Sequence, residues 1–132
     1  MNEFSWPVRV YYEDTDAGGV VYYANYLRFF ERARTELLRS FGFEQDALLA
    51  EQKVIFVVRS VQVDYLKPAR FNELLAVSAR VTEQTRTTLM FAQEISRQQE
   101  VLCRGVVRIA CLDSLTFKPK PIPSVILEKL AQ

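Results

Sequence analysis

Three acidic side chains and two glycines lie close together near the start of the sequence, just before a long amphipathic segment. Glu13, Asp14 and Asp16 supply the carboxylates, and Gly18 and Gly19 follow them. A carboxylate can attack an activated carbonyl carbon or take a proton from water. Glycines let a ligand approach the main chain, and the free amides of a helix start stabilise an oxygen that gains negative charge. The combination is suited to acyl transfer without a metal.

The same residues also have a structural interpretation. Asp and Gly are ordinary turn residues, so Asp14 and Asp16 can cap a turn or a helix without taking part in a reaction. The absence of histidine is more informative. It removes Ser-His and Cys-His nucleophile pairs and the common His-based zinc sites.

The elements around this loop follow from the spacing of apolar residues. Residues 6–13 are rich in β-branched and aromatic side chains, which predicts a first strand. From about residue 24, apolar side chains recur at steps of three and four, which predicts an amphipathic helix that ends at Gly42. Residues 44–51 are expected to form a short second helix or turn. The apolar positions with helical spacing are Tyr26, Phe30, Ala33, Leu37 and Phe41.

Farther along the chain the apolar period changes to two, which indicates strands. Alternation is clear over residues 57–65 and 77–81, and two more strands at 87–97 and 101–112 suggest an antiparallel meander. A sheet of five strands needs an apolar partner, and the sequence offers one long amphipathic helix. We therefore predict an α+β fold with a five-stranded antiparallel sheet wrapped around one long central helix.

Bulk properties limit the function classes. A chain of 132 residues with 49% apolar and 25% charged residues predicts a single globular domain over residues 1–132. A net charge of +1 gives no general attraction for nucleic acid or an anionic bilayer. No stretch has the roughly 18 uninterrupted apolar residues of a transmembrane segment, and no signal pattern is visible, so a cytoplasmic location is expected.

Cys103 and Cys111 are the two cysteines of the chain. On one strand they point to the same face, about 26 Å apart, which is far beyond the reach of a disulfide. We expect both to be reduced packing residues.

The run Glu13–Tyr26 (EDTDAGGVVYYANY) resembles the signature of the 4-hydroxybenzoyl-CoA thioesterase family of hotdog proteins. Segments 6–12 (WPVRVYY), 31–36 (ERARTE), 56–59 (FVVR) and 64–70 (DYLKPAR) extend the resemblance to the YbgC subgroup, which is associated with the bacterial Tol-Pal system. The match covers essentially the whole chain. It implies a hotdog fold and hydrolysis of an acyl-coenzyme A without a cofactor.

The resemblance also implies roles for individual residues. Asp16 matches the family's catalytic carboxylate, as nucleophile or general base, and Tyr23 matches the position whose backbone N–H is assigned to the thioester carbonyl. YbgC proteins carry histidine at this position, whereas the 4-hydroxybenzoyl enzyme carries tyrosine. Gly19 is expected to let the substrate approach the main chain, while Glu13 and Asp14 are expected to support the turn.

Family members assemble as dimers or dimers of dimers with the active site between subunits. The resemblance therefore implies a homo-oligomer, with a tetramer favoured, in which Val57, Val58 and Arg59 bind substrate in the partner's pocket. Acyl carrier protein is a further possible partner. The acyl chain length and head group stay open, because strands of two subunits set the depth of the pocket.

Several basic residues are expected to be solvated. Arg32 and Arg34 are interpreted as solvated or ion-paired helix residues rather than coenzyme A ligands. Arg86, Lys118 and Lys120 are interpreted as facing water, with binding of the coenzyme A phosphates as the alternative.

Two other functions are compatible with the same fold. One is a non-catalytic module that binds acyl-coenzyme A or acyl carrier protein in membrane-lipid metabolism, which the retained acidic loop disfavours. The other is a dehydratase, which the absence of histidine disfavours because such enzymes usually employ one as acid or base.

Overall fold

The computed structural model describes residues 4–131, which form a five-stranded antiparallel sheet with one long helix and two short ones. The predicted α+β class is confirmed. The strands are β1 (Phe4–Arg9), β2 (Val54–Tyr65), β3 (Leu74–Gln84), β4 (Thr88–Arg97) and β5 (Glu100–Asp113). The helices are α1 (Asn25–Ser40), α2 (Gln45–Gln52) and α3 (Ser124–Leu130), and a 3₁₀ turn lies at Tyr12–Asp14.

The strand order across the sheet is β1-β3-β4-β5-β2. The predicted meander is β3-β4-β5, and its second turn is tight because Gln98 and Gln99 both adopt left-handed φ angles of 50° and 73°. β2 pairs with β5 instead of lying beside β3. Residues 66–73 therefore carry the chain past the ends of β5 and β4, and β1 and β2 form the two edges of the sheet.

Helix α1 lies against the sheet, as its apolar spacing predicts. Phe29, Phe30 and Ala33 are fully buried. A Cβ atom added at Gly105 of β5 would lie 2.7 Å from the Phe30 ring, so the absence of a side chain there lets the ring contact the sheet. The helix ends at Ser40, and Gly42 has the positive φ of 91° expected of a terminating glycine.

The first strand is shorter than predicted at its end. β1 stops at Arg9, and the chain turns because the Asp14 carboxylate accepts a hydrogen bond of 2.8 Å from the Tyr11 N–H. The 3₁₀ turn that begins at Tyr12 therefore occupies positions assigned to the strand.

The expectation that Arg34 is solvated or ion-paired is wrong. Its side chain is buried between α1 and the sheet, where Nη1 donates to Oε1 of Gln93 at 3.0 Å. Arg32, by contrast, is exposed and lies 5.6 Å above the ring of Phe29.

Both cysteines are free and buried, as predicted. Burial raises the pKa of the Cys103 thiol to about 12 and that of Cys111 to about 11. Among residues 4–131, no helix combines the length and apolar character that crossing a membrane requires.

Candidate active site

Asp16 lies at the tip of a tight hairpin that precedes α1. Thr15 bridges Val21, and the Asp16 N–H donates to the Val20 oxygen at 2.9 Å. The Gly19 N–H then donates to the Asp16 oxygen at 3.0 Å, with Gly19 at a φ of 79°. Residues with side chains rarely adopt this φ, so glycine is required for the chain to turn here.

The Asp16 carboxylate is exposed and held by one hydrogen bond. Its Oδ1 accepts from the Gly18 N–H at 2.8 Å, while Oδ2 has no hydrogen-bond partner among residues 4–131. A Cβ added at Gly18 would lie 3.3 Å from Oδ1 and would crowd it. The two glycines thus shape the turn and leave one carboxylate oxygen available for chemistry.

Asp14 connects this hairpin to the start of α1. Its backbone oxygen accepts hydrogen bonds of 2.9 Å from both the Tyr22 N–H and the Asn25 side-chain amide. Together with the bond from Tyr11 to its carboxylate, these contacts confirm that Asp14 supports the turn. The loop is also joined to the sheet, because the Val21 N–H donates to the Ala69 oxygen at 2.8 Å.

Tyr23 lies in the turn immediately before α1 and is 61% exposed. The N–H groups of Asn25 and Tyr26 donate to the oxygens of Tyr22 and Tyr23, respectively. The Tyr23 N–H itself has no acceptor within the described part of the chain. It is therefore a free donor at the positive end of a 16-residue helix.

The aromatic neighbours of Tyr23 were not predicted. Its ring lies 6.1 Å from that of Tyr65, at the end of β2, and the Tyr65 ring lies 5.5 Å from that of Tyr26. The Tyr26 hydroxyl accepts a hydrogen bond from the Ala69 N–H at 3.0 Å. Burial raises the pKa of both Tyr26 and Tyr65 above the ordinary value of 10.0, and the two neutral rings form an aromatic wall beside Tyr23. The feature of the sequence that could have indicated this neighbour is Tyr65, an aromatic residue at the end of a strand with alternating apolar residues.

The structure does not bring Val57, Val58 and Arg59 to Asp16 within one chain. Val58 is 52% exposed, and the pairing register with β5 shifts at a bulge between Val58 and Ser60. Seven residues separate Val58 from Tyr65, about 23 Å along a strand. A role for this segment beside Asp16 therefore requires a second subunit, and it stays a prediction.

The basic residues considered for the coenzyme A phosphates lie at the opposite end of the sheet from Asp16. Lys120 donates to the Gln52 oxygen at 3.0 Å and lies 3.6 Å from the Asp113 carboxylate. The Arg86 oxygen accepts from the Ile122 N–H near the same end. Lys118 is exposed nearby. In the range 4–131, no three His, Cys, Asp or Glu side chains gather as metal ligands would.

Comparisons with known proteins identify the family of this chain. Residues 18–104 match the profile of the thioesterase superfamily. The chain is 50% identical to the acyl-CoA thioesterase YbgC of Haemophilus influenzae over 122 residues, which are 92% of this chain and 90% of that protein. It is 48% identical to the acyl-CoA thioester hydrolase YbgC of Escherichia coli O6:H1 over 130 residues, covering 98% and 96%. A probable thioesterase from Bartonella henselae has the same fold, with a TM-score of 0.89 and 34% identity over 92% of this chain and 100% of that one.

Proposed function

This chain belongs to the thioesterase superfamily, and from that membership we propose that it hydrolyses acyl-coenzyme A to a free acid and coenzyme A. Asp16 is the catalytic carboxylate, and the Tyr23 N–H binds the thioester carbonyl oxygen. The observation that carries the proposal is the unit formed by the hairpin and the helix start. It holds an exposed carboxylate and a free amide in one hydrogen-bonded segment. Relatives of about half-identical sequence are named for this activity.

The reaction needs a nucleophile, a place for negative charge and a proton for the leaving thiolate. With Asp16 as general base, water bonds to the carbonyl carbon while its proton moves to the carboxylate. The Tyr23 N–H stabilises the oxyanion, and the helix dipole adds to this stabilisation. Collapse breaks the carbon–sulfur bond, and Asp16 returns the proton to the thiolate.

The same geometry also serves nucleophilic attack by Asp16. In that case a carboxylate oxygen bonds to the carbonyl carbon, the thiolate leaves, and water hydrolyses the resulting anhydride. A single turnover in ¹⁸O-labelled water shows which carbon water attacks. Label found in the Asp16 carboxylate supports the anhydride, because only that route lets water attack the Asp16 carboxyl carbon. Label confined to the acid product means that water attacks the acyl carbon, as it does in the general-base route.

The proposed assembly is a homo-oligomer with sites between subunits. The outer edge of β2 faces no other strand of residues 4–131, and Val58, Val61 and Tyr65 on this strand are exposed. Pairing with a second copy would give hydrogen-bond partners to the free N–H and C=O groups of that edge and would cover those side chains. We expect at least a dimer by light scattering at micromolar concentration, with a tetramer favoured. An active monomer would contradict this assembly.

A thiol-release assay tests the proposed activity. Short-chain, long-chain and aromatic acyl-coenzyme A substrates are compared, with Asp16→Asn as the inactive reference. We expect thiol release by the parent protein that depends on the Asp16 carboxylate. Binding of acyl-coenzyme A without thiol release, by a folded parent protein, would support the non-catalytic alternative.

A further inference from the structure

A groove runs between α1 and β2 and begins near the proposed thioester site. Two adjoining spaces of about 160 and 430 Å³ form it, and Glu31, Arg34 and Val58 line both. Their combined size is in the range of small-molecule sites. Because the groove starts at Leu27, in the first turn of α1, it leads away from Tyr23 toward the other end of the sheet.

Arg34 is unusual among the side chains of this groove. Much of the lining is apolar, including Phe30, Leu38, Phe56 and Phe91. Arg34 itself is only 9% exposed. Charged side chains are rarely buried to this extent unless a partner compensates the charge.

Gln93 fixes the position of the Arg34 side chain. The Gln93 amide nitrogen donates to the backbone oxygens of Phe30 and Ser78 at 3.0 and 3.1 Å. Its Oε1 is therefore turned to the other side, where it accepts the 3.0 Å hydrogen bond from Arg34 Nη1. Gln93 is a positioning residue that acts through Arg34.

The guanidinium has no counter-charge among residues 4–131. No carboxylate lies within 4.0 Å of it, and Glu31 is exposed and acts on it only at longer range. Burial lowers the pKa of Arg34, and Glu31 partly offsets this, but an arginine stays charged at neutral pH. Apart from the bond from Nη1 to Gln93, the guanidinium makes no hydrogen bond to residues 4–131, yet no fully buried side-chain nitrogen in this part of the chain lacks one. The other guanidinium nitrogens are therefore accessible, and the space beside them is the groove that Arg34 lines.

We propose that Arg34 determines substrate specificity by binding a carboxylate at the end of the acyl group that is remote from the thioester. This inference rests on the proposed thioesterase function. Helix side chains lean toward the N-terminus, so the guanidinium lies roughly 12 Å along α1 from Tyr23. An acyl chain that enters at Leu27 meets the guanidinium inside the groove. A terminal carboxylate can form two parallel hydrogen bonds with it, whereas an alkyl end leaves the cation unpaired.

Matched substrates test this inference. At each of several chain lengths, kcat/KM is measured for an acyl-coenzyme A that ends in a methyl group and for one that ends in a carboxylate. We expect the carboxylate substrate to be favoured by about tenfold or more at one length, a typical size for a charged hydrogen bond. Arg34→Met should remove this preference, mostly through KM, and Arg34→Lys should retain part of it. Arg32→Met, two residues earlier and on the exposed side of α1, should not change it.

The preference is the ratio of two kcat/KM values measured on the same enzyme preparation. A variant that is partly unfolded lowers both values equally, so the ratio does not change. If Arg34→Met does not fold, the parent protein and Arg34→Lys still supply the comparison. Equal hydrolysis of both substrate types at every length overturns the inference but leaves the thioesterase function intact. An unchanged preference in Arg34→Met also overturns the inference. If that variant in addition dissociates into monomers, the carboxylate that pairs with Arg34 belongs to a second copy of the chain and not to the substrate. Absence of thiol release from every substrate refutes the proposed function itself.

Discussion

The core around Phe30 and the hairpin around Asp16 are held by different interactions. Phe30 is fully buried, and its ring occupies the space that Gly105 leaves open. Asp16 is exposed, and its position depends on backbone hydrogen bonds and on the turn at Gly19. Packing in the core tolerates little change in volume, whereas the Asp16 side chain can change with little effect on folding. Stability and activity should therefore respond to different substitutions.

The largest expected effect on activity is at the main chain of Tyr23. Tyr23→Pro removes the free N–H and should abolish thiol release. Tyr23→Phe removes only an exposed hydroxyl and should keep kcat within about tenfold of the parent. Steady-state kinetics and circular dichroism of both variants provide the measurement. A loss of a hundredfold or more in a folded Phe variant would place the phenol in the mechanism.

Replacement of the Asp16 carboxylate should be nearly as severe. Asp16→Asn keeps the shape of the side chain but removes its charge, so kcat should fall by at least about a hundredfold. The free energy of unfolding should change by no more than about 0.5 kcal/mol, as for other exposed positions. Asp14→Asn should show the reverse pattern, with a smaller effect on kcat and a lower Tm, because the Asp14 carboxylate accepts the hydrogen bond from Tyr11 that fixes the turn. Near-native turnover of Asp16→Asn would remove this residue from the mechanism.

A substitution in the core should lower stability and spare the chemistry. The added Cβ of Gly105→Ala meets the Phe30 ring at 2.7 Å. Such overpacking costs about 1–3 kcal/mol, which urea denaturation would detect. The kcat of the folded fraction at low temperature should stay within about twofold. Adding Phe30→Leu should recover part of the lost stability, and no recovery would mean that the ring is not the source of the clash.

A further expected effect, on stability alone, is a decline at alkaline pH. In the folded protein, burial raises the pKa of Cys103 to about 12 and of Cys111 to about 11, from an ordinary value of 9.0. The stabilisation from keeping the thiols protonated is complete below pH 9. It decreases above that pH, where the unfolded chain releases these protons, by roughly 1 kcal/mol per thiol per pH unit until the folded thiols ionise. Urea denaturation at pH 8 to 11 should show a weaker decline in a Cys103→Ala, Cys111→Ala variant. Equal slopes would contradict this account.

Much of the fold was predictable because local periodicity reflects burial. The spacing of Phe30, Ala33 and Leu37 identified α1, and strict alternation identified the central strands. The end of β1 was missed because the Tyr11 N–H donates to the carboxylate of Asp14, three residues later, and the chain turns there. The burial of Arg34 was missed because its acceptor, Gln93, is 59 residues away in sequence.

The candidate site was predictable to a similar degree. The acidic turn, its glycines and the following helix start are contiguous in sequence, so the sequence alone predicts that they lie close together. The wall formed by Tyr26 and Tyr65 joins the first turn of α1 to the last residue of β2, which only the fold reveals. The position of Lys120 at the far end of the sheet depends on strand order, which composition does not encode.

The order of strands in the sheet also affects how the chain folds as it is synthesised. Val54 pairs with Asp113, and Tyr65 pairs with Cys103, so β2 has no backbone partner until β5 has left the ribosome. Translation proceeds at about 5–20 residues per second, and such unfinished chains expose apolar surface for some seconds. During that interval the nascent chain presents both an unpaired strand and an amphipathic helix to its surroundings. We therefore expect chains that end before β5 to require a chaperone, while the completed chain folds without one.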